Sequence, residues 1–292
     1  MTDYEKIGLK CGIEIHQQLD TENKLFCMCA SRLSQTEPDS EIVRKLRVVA
    51  GETGEIDVAA LSEFLKDREF IYRTYPDETC LVETDGEPPH NINRDALGIT
   101  LTISQLLNCT VPEEIHVMRK TVLDGSNTSG FQRTAIIGID GELKTSLGNV
   151  GITNVCVEEE SAQIIKREGN QVIYGLDRLG IPLVEIGTAA DIHDPQQAKE
   201  VAQKLGMIVR STENVKRGLG TIRQDVNVSI KGGERVEIKG TQDLKMIPKY
   251  IENEIERQKN LLKIRDELKK MKFKHVKPQV VHVSHIFSGS ES

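Results

Sequence analysis

At 292 residues, with a formal net charge of −7 and no tryptophan, the chain can bury one large core or two moderate ones built on Ile, Leu and Val. The acidic balance excludes a global nucleic-acid-binding field, so any RNA contact must be a local basic patch. No apolar run is long enough to span a bilayer and the N-terminus lacks a signal-peptide core, which predicts a cytoplasmic protein without membrane contact.

Residues 7–19 are expected to form a strand. Glu14, His16 and Gln18 share one parity, while Ile13, Ile15 and Leu19 take the other. A carboxylate and an imidazole two residues apart can hold a divalent cation or trade a proton; the same pattern also fits a solvated strand face. A turn follows with Cys27-Met28-Cys29. The six cysteines are expected as thiols rather than a disulfide framework. Cys27, Cys29 and Cys80 can offer three thiolates to a structural zinc ion, with Glu83 or a distant residue needed as the fourth ligand. Otherwise they are small buried hydrophobes.

Residues 56–70 read as helical, and 75–93 as a long loop marked by Pro76, Gly86, Pro88 and Pro89. Asn93 is placed to cap a helix from Arg94 to Leu107, with Leu97, Leu101, Leu106 and Leu107 on its apolar side. The stretch 119–133 is polar and turn-rich through Asp124-Gly125-Ser126-Asn127-Thr128-Ser129-Gly130. Such a loop is either a surface connection or one that grips phosphate and substrate.

Two strands, 135–140 and 142–157, are expected to pair across an Asp140-Gly141 turn. They end in Glu158-Glu159-Glu160, where the middle carboxylate must point away from its neighbours. The turn Asp177-Arg178-Leu179-Gly180-Ile181-Pro182 leads into Leu183-Val184-Glu185-Ile186. Burying a lone carboxylate costs several kcal/mol, so Glu185 calls for a cation, a metal or a strong donor. Asp194-Pro195 opens a helix with Ala198, Val201, Ala202, Leu205 and Ile208 as its stripe.

Residues 221–230 read as a strand bearing Arg223, Asp225, Asn227 and Ser229 on one face, and Glu237 and Lys239 align in the next. A charged helix over 247–271 turns basic through Lys269, Lys270, Lys272 and Lys274, which suits solvent or RNA phosphates. Residues 280–287 read as a strand before Ser-Gly-Ser-Glu-Ser, as in the first part of a longer protein. The whole is α+β, mainly antiparallel sheets with flanking helices, rather than doubly wound.

Phosphate-binding and dinucleotide glycine loops, a nucleophile elbow and an H-E-x-x-H helix are all missing. What remains is an oxygen-rich set, Glu14, His16, Glu159, Glu185 and Asp225. Such a set favours Mg²⁺, which commonly bridges carboxylates to phosphates, so phosphoryl transfer is the natural reaction class.

These segments resemble the GatB/GatE family of tRNA-dependent amidotransferases. The likeness runs through Gly12–Leu19, Gly151-Ile152-Thr153 with Glu158-Glu159-Glu160, Asp177–Ile186, Arg223–Ser229 and Glu237-Ile238-Lys239-Gly240. The insertion between Cys29 and Arg119, and Gly240, resemble the archaeal E-type branch. The resemblance implies a cradle-type catalytic domain over 1–262, with 263–292 leading towards a further domain. It implies that ATP and Mg²⁺ activate the glutamate of mischarged Glu-tRNA(Gln) as a γ-phosphoryl ester. Ammonia from an asparaginase-like partner amidase of the D type then gives Gln-tRNA(Gln).

By motif position, His16, Glu159 and Glu185 resemble the metal ligands, with Glu14 adjacent. Arg223, Asp225 and Asn227 take catalytic positions, and Ser129, Gln132 and Lys239 take nucleotide- or substrate-binding ones. The family's cysteine arrangement is incomplete here, and its helical and tail domains are not in this sequence. Two other functions therefore stand beside the ligase: a silent scaffold that docks the partner amidase and tRNA, and a metal-dependent phosphotransferase that ignores RNA.

Overall fold

A computed structural model describes residues 3–271 except 49 and 52, together with 281–286 and 288–289. The dominant element is a curled, seven-stranded antiparallel sheet. Its strands are β1 (Lys10–Gln18), β4 (Val117–Thr121), β5 (Phe131–Thr145), β6 (Gly148–Glu159), β9 (Pro182–Thr188), β10 (Ile222–Ser229) and β11 (Val236–Ile238). They are ordered β11-β10-β1-β9-β6-β5-β4. A four-stranded sheet adds β2 (Ser40–Lys45), β3 (Glu69–Thr74), β7 (Gln163–Glu168) and β8 (Gln171–Gly175), in the order β2-β3-β8-β7 with β3 and β8 parallel.

Alternation decides which face of the large sheet is covered. Ile13, Ile15, Val184, Ile186, Val155, Val157, Ala135, Ile137, Val226 and Val228 are all buried in one core. That face packs against α2 (Arg94–Leu106), α3 (Pro195–Ser211) and α4 (Ile247–Lys270), through residues such as Ile103, Leu205 and Ile251. Each Val, Leu or Ile among them contributes about 1.5–3 kcal/mol when fully buried, so the register of the sheet is fixed from this side. A one-residue slip would turn every apolar residue outwards. The helices start where their caps dictate. Asn93 accepts from Asp95 N and Ala96 N, and Asp194 accepts from Gln196 N and Gln197 N.

The small sheet has its own aromatic core of Phe70, Tyr72 and Tyr174. It carries the loop 122–130: Tyr72 Oη donates to Gly125 O (2.8 Å) and Tyr174 Oη to Asp124 O (2.7 Å). At Gly125 (φ +86°), a Cβ would sit 2.6 Å from the Phe70 ring, so only glycine lets the backbone rest there.

Four sequence expectations shift. The helix predicted over 56–70 is confined to α1 (Val58–Phe64), because Phe70 and Tyr72 are drawn into the aromatic core as alternate residues of β3. The hairpin turn lies at 145–148, not at Asp140-Gly141. Gly141 lies mid-strand because a Cβ there would meet Cys109 Sγ at 2.4 Å and Leu107 O at 2.6 Å, where the end of α2 crosses the sheet. Part of the polar stretch 119–133 is the edge strand β4. Of the strand predicted over 280–287, residues 284–286 form a 3₁₀ turn and 281–283 have no regular structure. Residues 280 and 287, like Lys272 and Lys274, fall outside the described residues.

Candidate metal and substrate site

The uncovered face of the seven-stranded sheet is where the specific polar residues meet. Register places His16 directly between Arg223 on β10 and Glu185 on β9, and Glu14 opposite Asp225. Glu158 follows on β6 and Thr134 on β5. His16 Nε2 lies 3.3 Å from Glu185 Oε2, 3.4 Å from Glu14 Oε1 and 3.7 Å from Glu158 Oε1. From edge strand β4, Lys120 Nζ reaches Glu185 (3.6 Å) and Glu158 (4.0 Å). Thr134 Oγ1 donates to Glu158 (3.1 Å), and Asn154 Nδ2 to Glu185 (3.3 Å).

Each group is held away from its ordinary protonation. Burial raises Glu158 and Glu14, and the Glu185 charge adds to it. For His16, burial works against the imidazolium. The hydrogen bond to Glu185 and the charges of Glu158, Glu185 and Glu14 outweigh it, leaving the pKa raised. For Glu185, burial is outweighed by His16, Lys120 and Asn154, and the carboxyl is lowered. Three carboxylates against one ammonium leave two negative charges, which one divalent ion would balance with the imidazole neutral. Glu14, His16 and Glu185 each bring one ligand atom within 4.8 Å of the others. The residues therefore fit a hard divalent cation.

The other expected residues divide. Asp225 and Glu237 form a second acidic group with Glu14. Lys239 closes it, 3.1 Å from Glu237 and 3.6 Å from Asp225. Asp225 also accepts from Gly240 N (2.8 Å). Arg223 Nη2 is 2.9 Å from Glu160 Oε1, whose other oxygen accepts from Gln18 (3.2 Å). Asn227 lies on the same face, opposite Gly12 and Glu237.

Glu159 does not join the cluster. Its neighbour Val157 is in the core, so parity turns Glu159 to the covered side, where Arg133 Nη1 (2.8 Å) and Arg133 N (3.1 Å) donate to it. Glu158 occupies the place expected of Glu159. Gln132 Nε2 donates to Glu159 O (2.6 Å), and Ser129 Oγ to Phe131 O (2.9 Å), so both brace the backbone of the 122–130 loop and its flanks. Sequence reasoning missed Lys120. All five residues of β4 are exposed, which leaves no apolar alternation to reveal a strand or its facing.

The cysteines assemble a second centre. Cys27, Cys29, Cys80 and Glu83 each place one ligand atom within 4.8 Å of the rest. Cys27 Sγ donates to Glu83 Oε1 (2.8 Å), and Cys80 N to Oε2 (2.9 Å). The cluster lies mostly beneath the surface beside Lys24, whose Nζ is 3.6 Å from Glu83. The hydrogen bond between Cys27 and Cys29, with burial and Glu83, raises Cys27, while the same bond lowers Cys29; burial pushes Cys80 up to about 12. Three sulfurs and one carboxylate in this arrangement form a Cys₃Glu set suited to a tetrahedral divalent ion.

Fold and site together define a catalytic-type domain with an open, acidic, imidazole-bearing sheet face. The chain belongs to the GatB/GatE catalytic domain family, whose profile matches residues 9–284. It is 55% identical over 290 residues to the E-type glutamyl-tRNA(Gln) amidotransferase protein of Methanocaldococcus jannaschii, covering 99% of this chain and 46% of that protein. Its counterparts of the same name in Methanothermobacter thermautotrophicus and Archaeoglobus fulgidus are each 53% identical, over 290 and 293 residues, with 46% and 48% of their own lengths covered. The chain thus spans about half the length of these relatives. Among the described residues, no helix is long and apolar enough to cross a membrane.

Proposed function

We propose that this chain carries the ATP- and Mg²⁺-dependent step of a glutamyl-tRNA(Gln) amidotransferase. In that step the glutamate on mischarged Glu-tRNA(Gln) is activated at its side-chain carboxylate, for amidation by ammonia from a partner amidase of the asparaginase-like D type. The carrying observation is His16 Nε2 within 3.7 Å of three carboxylates on the open sheet face. His16, Glu185 and Glu14 would hold the divalent ion, with Glu158, 3.7 Å from His16, at its edge. When bound, that ion neutralises phosphate oxygens and orients them for transfer.

The chain's own residues supply the rest. Lys120 gives an exposed positive charge over Glu158 and Glu185 at the side of the loop 122–130. Arg223, held by Glu160, presents a fixed guanidinium to an incoming anion. Asp225 and Asn227 line the approach for a nucleophile, and Lys239 closes the far end. Ser129 and Gln132 act through the loop they brace. Cys27, Cys29, Cys80 and Glu83 would hold zinc as a structural ion. Localisation in the cytoplasm follows from the aminoacyl-tRNA substrate.

The test is phosphate release from ATP by the chain with its partner amidase, with and without Glu-tRNA(Gln), in wild type and His16→Ala. Turnover that needs Glu-tRNA(Gln) and collapses in the variant is expected. Equal residual turnover in both proteins would leave only a scaffold role; turnover indifferent to the RNA would make the chain a different phosphotransferase.

A further inference from the structure

Glu158 and Glu159 are adjacent, yet their side chains are held from opposite sides of the sheet. Glu158 faces His16, and Glu159 faces Arg133. The second attachment leads elsewhere in the fold. Arg133 is 8% exposed and lies over two aromatic rings, its guanidinium carbon 5.4 Å from the Phe131 centroid and 5.9 Å from that of Phe26. Phe26 precedes Cys27, the buried thiol of the Cys₃Glu set. A second connection runs in parallel: Thr128 Oγ1 donates to Glu83 O (2.6 Å), and Gln132, beyond the same loop, donates to Glu159 O (2.6 Å). The end of β6 is therefore tied to the cysteine cluster by a stacked guanidinium and by a hydrogen-bonded loop.

We infer that the Cys₃Glu cluster sets the position of Glu158 through Phe26, Arg133 and Glu159, which makes Arg133 a positioning residue for the cation site on the opposite face. The inference rests on the cation-binding reading of that face. The physical reason is rigidity. Arg133 has its guanidinium over the rings of Phe26 and Phe131, and its side chain and backbone N–H both bond one carboxylate. These contacts and its burial restrict the Arg133 side chain, so it transmits the position of residues 26–27 to residue 159. Glu158 and Glu159 are the last two residues of β6, beyond its final core residue Val157, so a shift at Glu159 moves the adjoining Glu158 relative to His16 and Glu185.

The experiment is calorimetric titration of the chain with Mn²⁺ alone. It compares wild type, Glu158→Gln, Arg133→Met, Arg133→Lys, Phe26→Leu and the core control Val209→Ala on α3. Partners that orient a metal ligand typically contribute 10- to 100-fold in affinity, so Arg133→Met is expected to weaken Mn²⁺ binding about tenfold or more. Phe26→Leu, a volume-tolerant change that should fold, is expected to weaken it in the same direction. Arg133→Lys should not restore affinity, since an ammonium cannot reproduce the stacked fork. Val209→Ala should destabilise the chain without moving the Mn²⁺ affinity. Wild-type affinity in both Arg133→Met and Phe26→Leu, with binding lost in Glu158→Gln, overturns the coupling and leaves the cation site standing. Wild-type affinity in Glu158→Gln, or no Mn²⁺ binding by wild type, overturns the cation site and the coupling with it.

Discussion

Glu158→Gln and Glu159→Gln are the same chemical change at adjacent positions, and the structure predicts opposite consequences for stability. Glu159 is 3% exposed and is the only carboxylate paired with Arg133 among the described residues. Its neutralisation leaves a buried guanidinium without a counter-charge, and breaking a buried pair in this way costs about 3–5 kcal/mol. Glu158 is equally buried, but a further carboxylate, Glu185, lies beside it, and its charge is opposed by burial and by Glu185. Removing that charge relieves repulsion. The loss of Lys120 as a partner is small, because the ammonium is 57% exposed and about 4.0 Å away. Without divalent cation, Glu158→Gln should therefore match or exceed wild-type stability. Equilibrium urea unfolding of the three metal-free proteins at neutral pH decides the matter. If Glu159→Gln proves as stable as wild type while Glu158→Gln falls by several kcal/mol, the assignment of the two glutamates to opposite faces is wrong.

Two further outcomes are expected. His16, Glu14 and Glu158 all have raised pKa values in the fold, so the stability they contribute is full below their unfolded-state values and drains away as pH rises through the folded ones. The melting temperature of the metal-free chain should fall from mildly acidic to mildly alkaline pH, and added Mg²⁺ should flatten that slope; an identical slope in His16→Gln would refute the attribution. Lys24 is fully buried, donating to the carbonyls of Glu78 and Leu176 and neutralising Glu83. Lys24→Met should cost about 3–5 kcal/mol in urea when no metal is bound, and less once zinc supplies the missing positive charge.

How much of this is legible in the sequence depends on whether a residue's position is fixed by local pattern or by distant strands. The alternation of β1 and β10 is readable because apolar residues mark the covered face, and the caps Asn93 and Asp194 announce their helices. The short strand β2 and the exposed edge strand β4 carry no such marker, so Lys120 is invisible as a site residue. Gly141 reads as a turn because Asp-Gly is a turn dipeptide. Its actual constraint, the approach of Leu107 and Cys109, exists only after α2 has packed on the sheet.

Glu159 shows the competition between two kinds of inference. Motif position points to Glu159, whereas strand parity points elsewhere. Val155 and Val157 are core residues, which puts Glu158 on the open face and Glu159 beneath it. Parity counted from the nearest apolar pair survives the irregularity in β6 pairing between Ile152 and Asn154; parity counted from the start of the strand does not. A carboxylate run at a strand end should therefore be assigned from the last buried residues before it. By that rule Glu160 also belongs to the open face, where it fixes Arg223 at 2.9 Å. The acidic run then divides its work by alternation: its outer members serve the polar face, and the middle one anchors the strand to the cysteine cluster below.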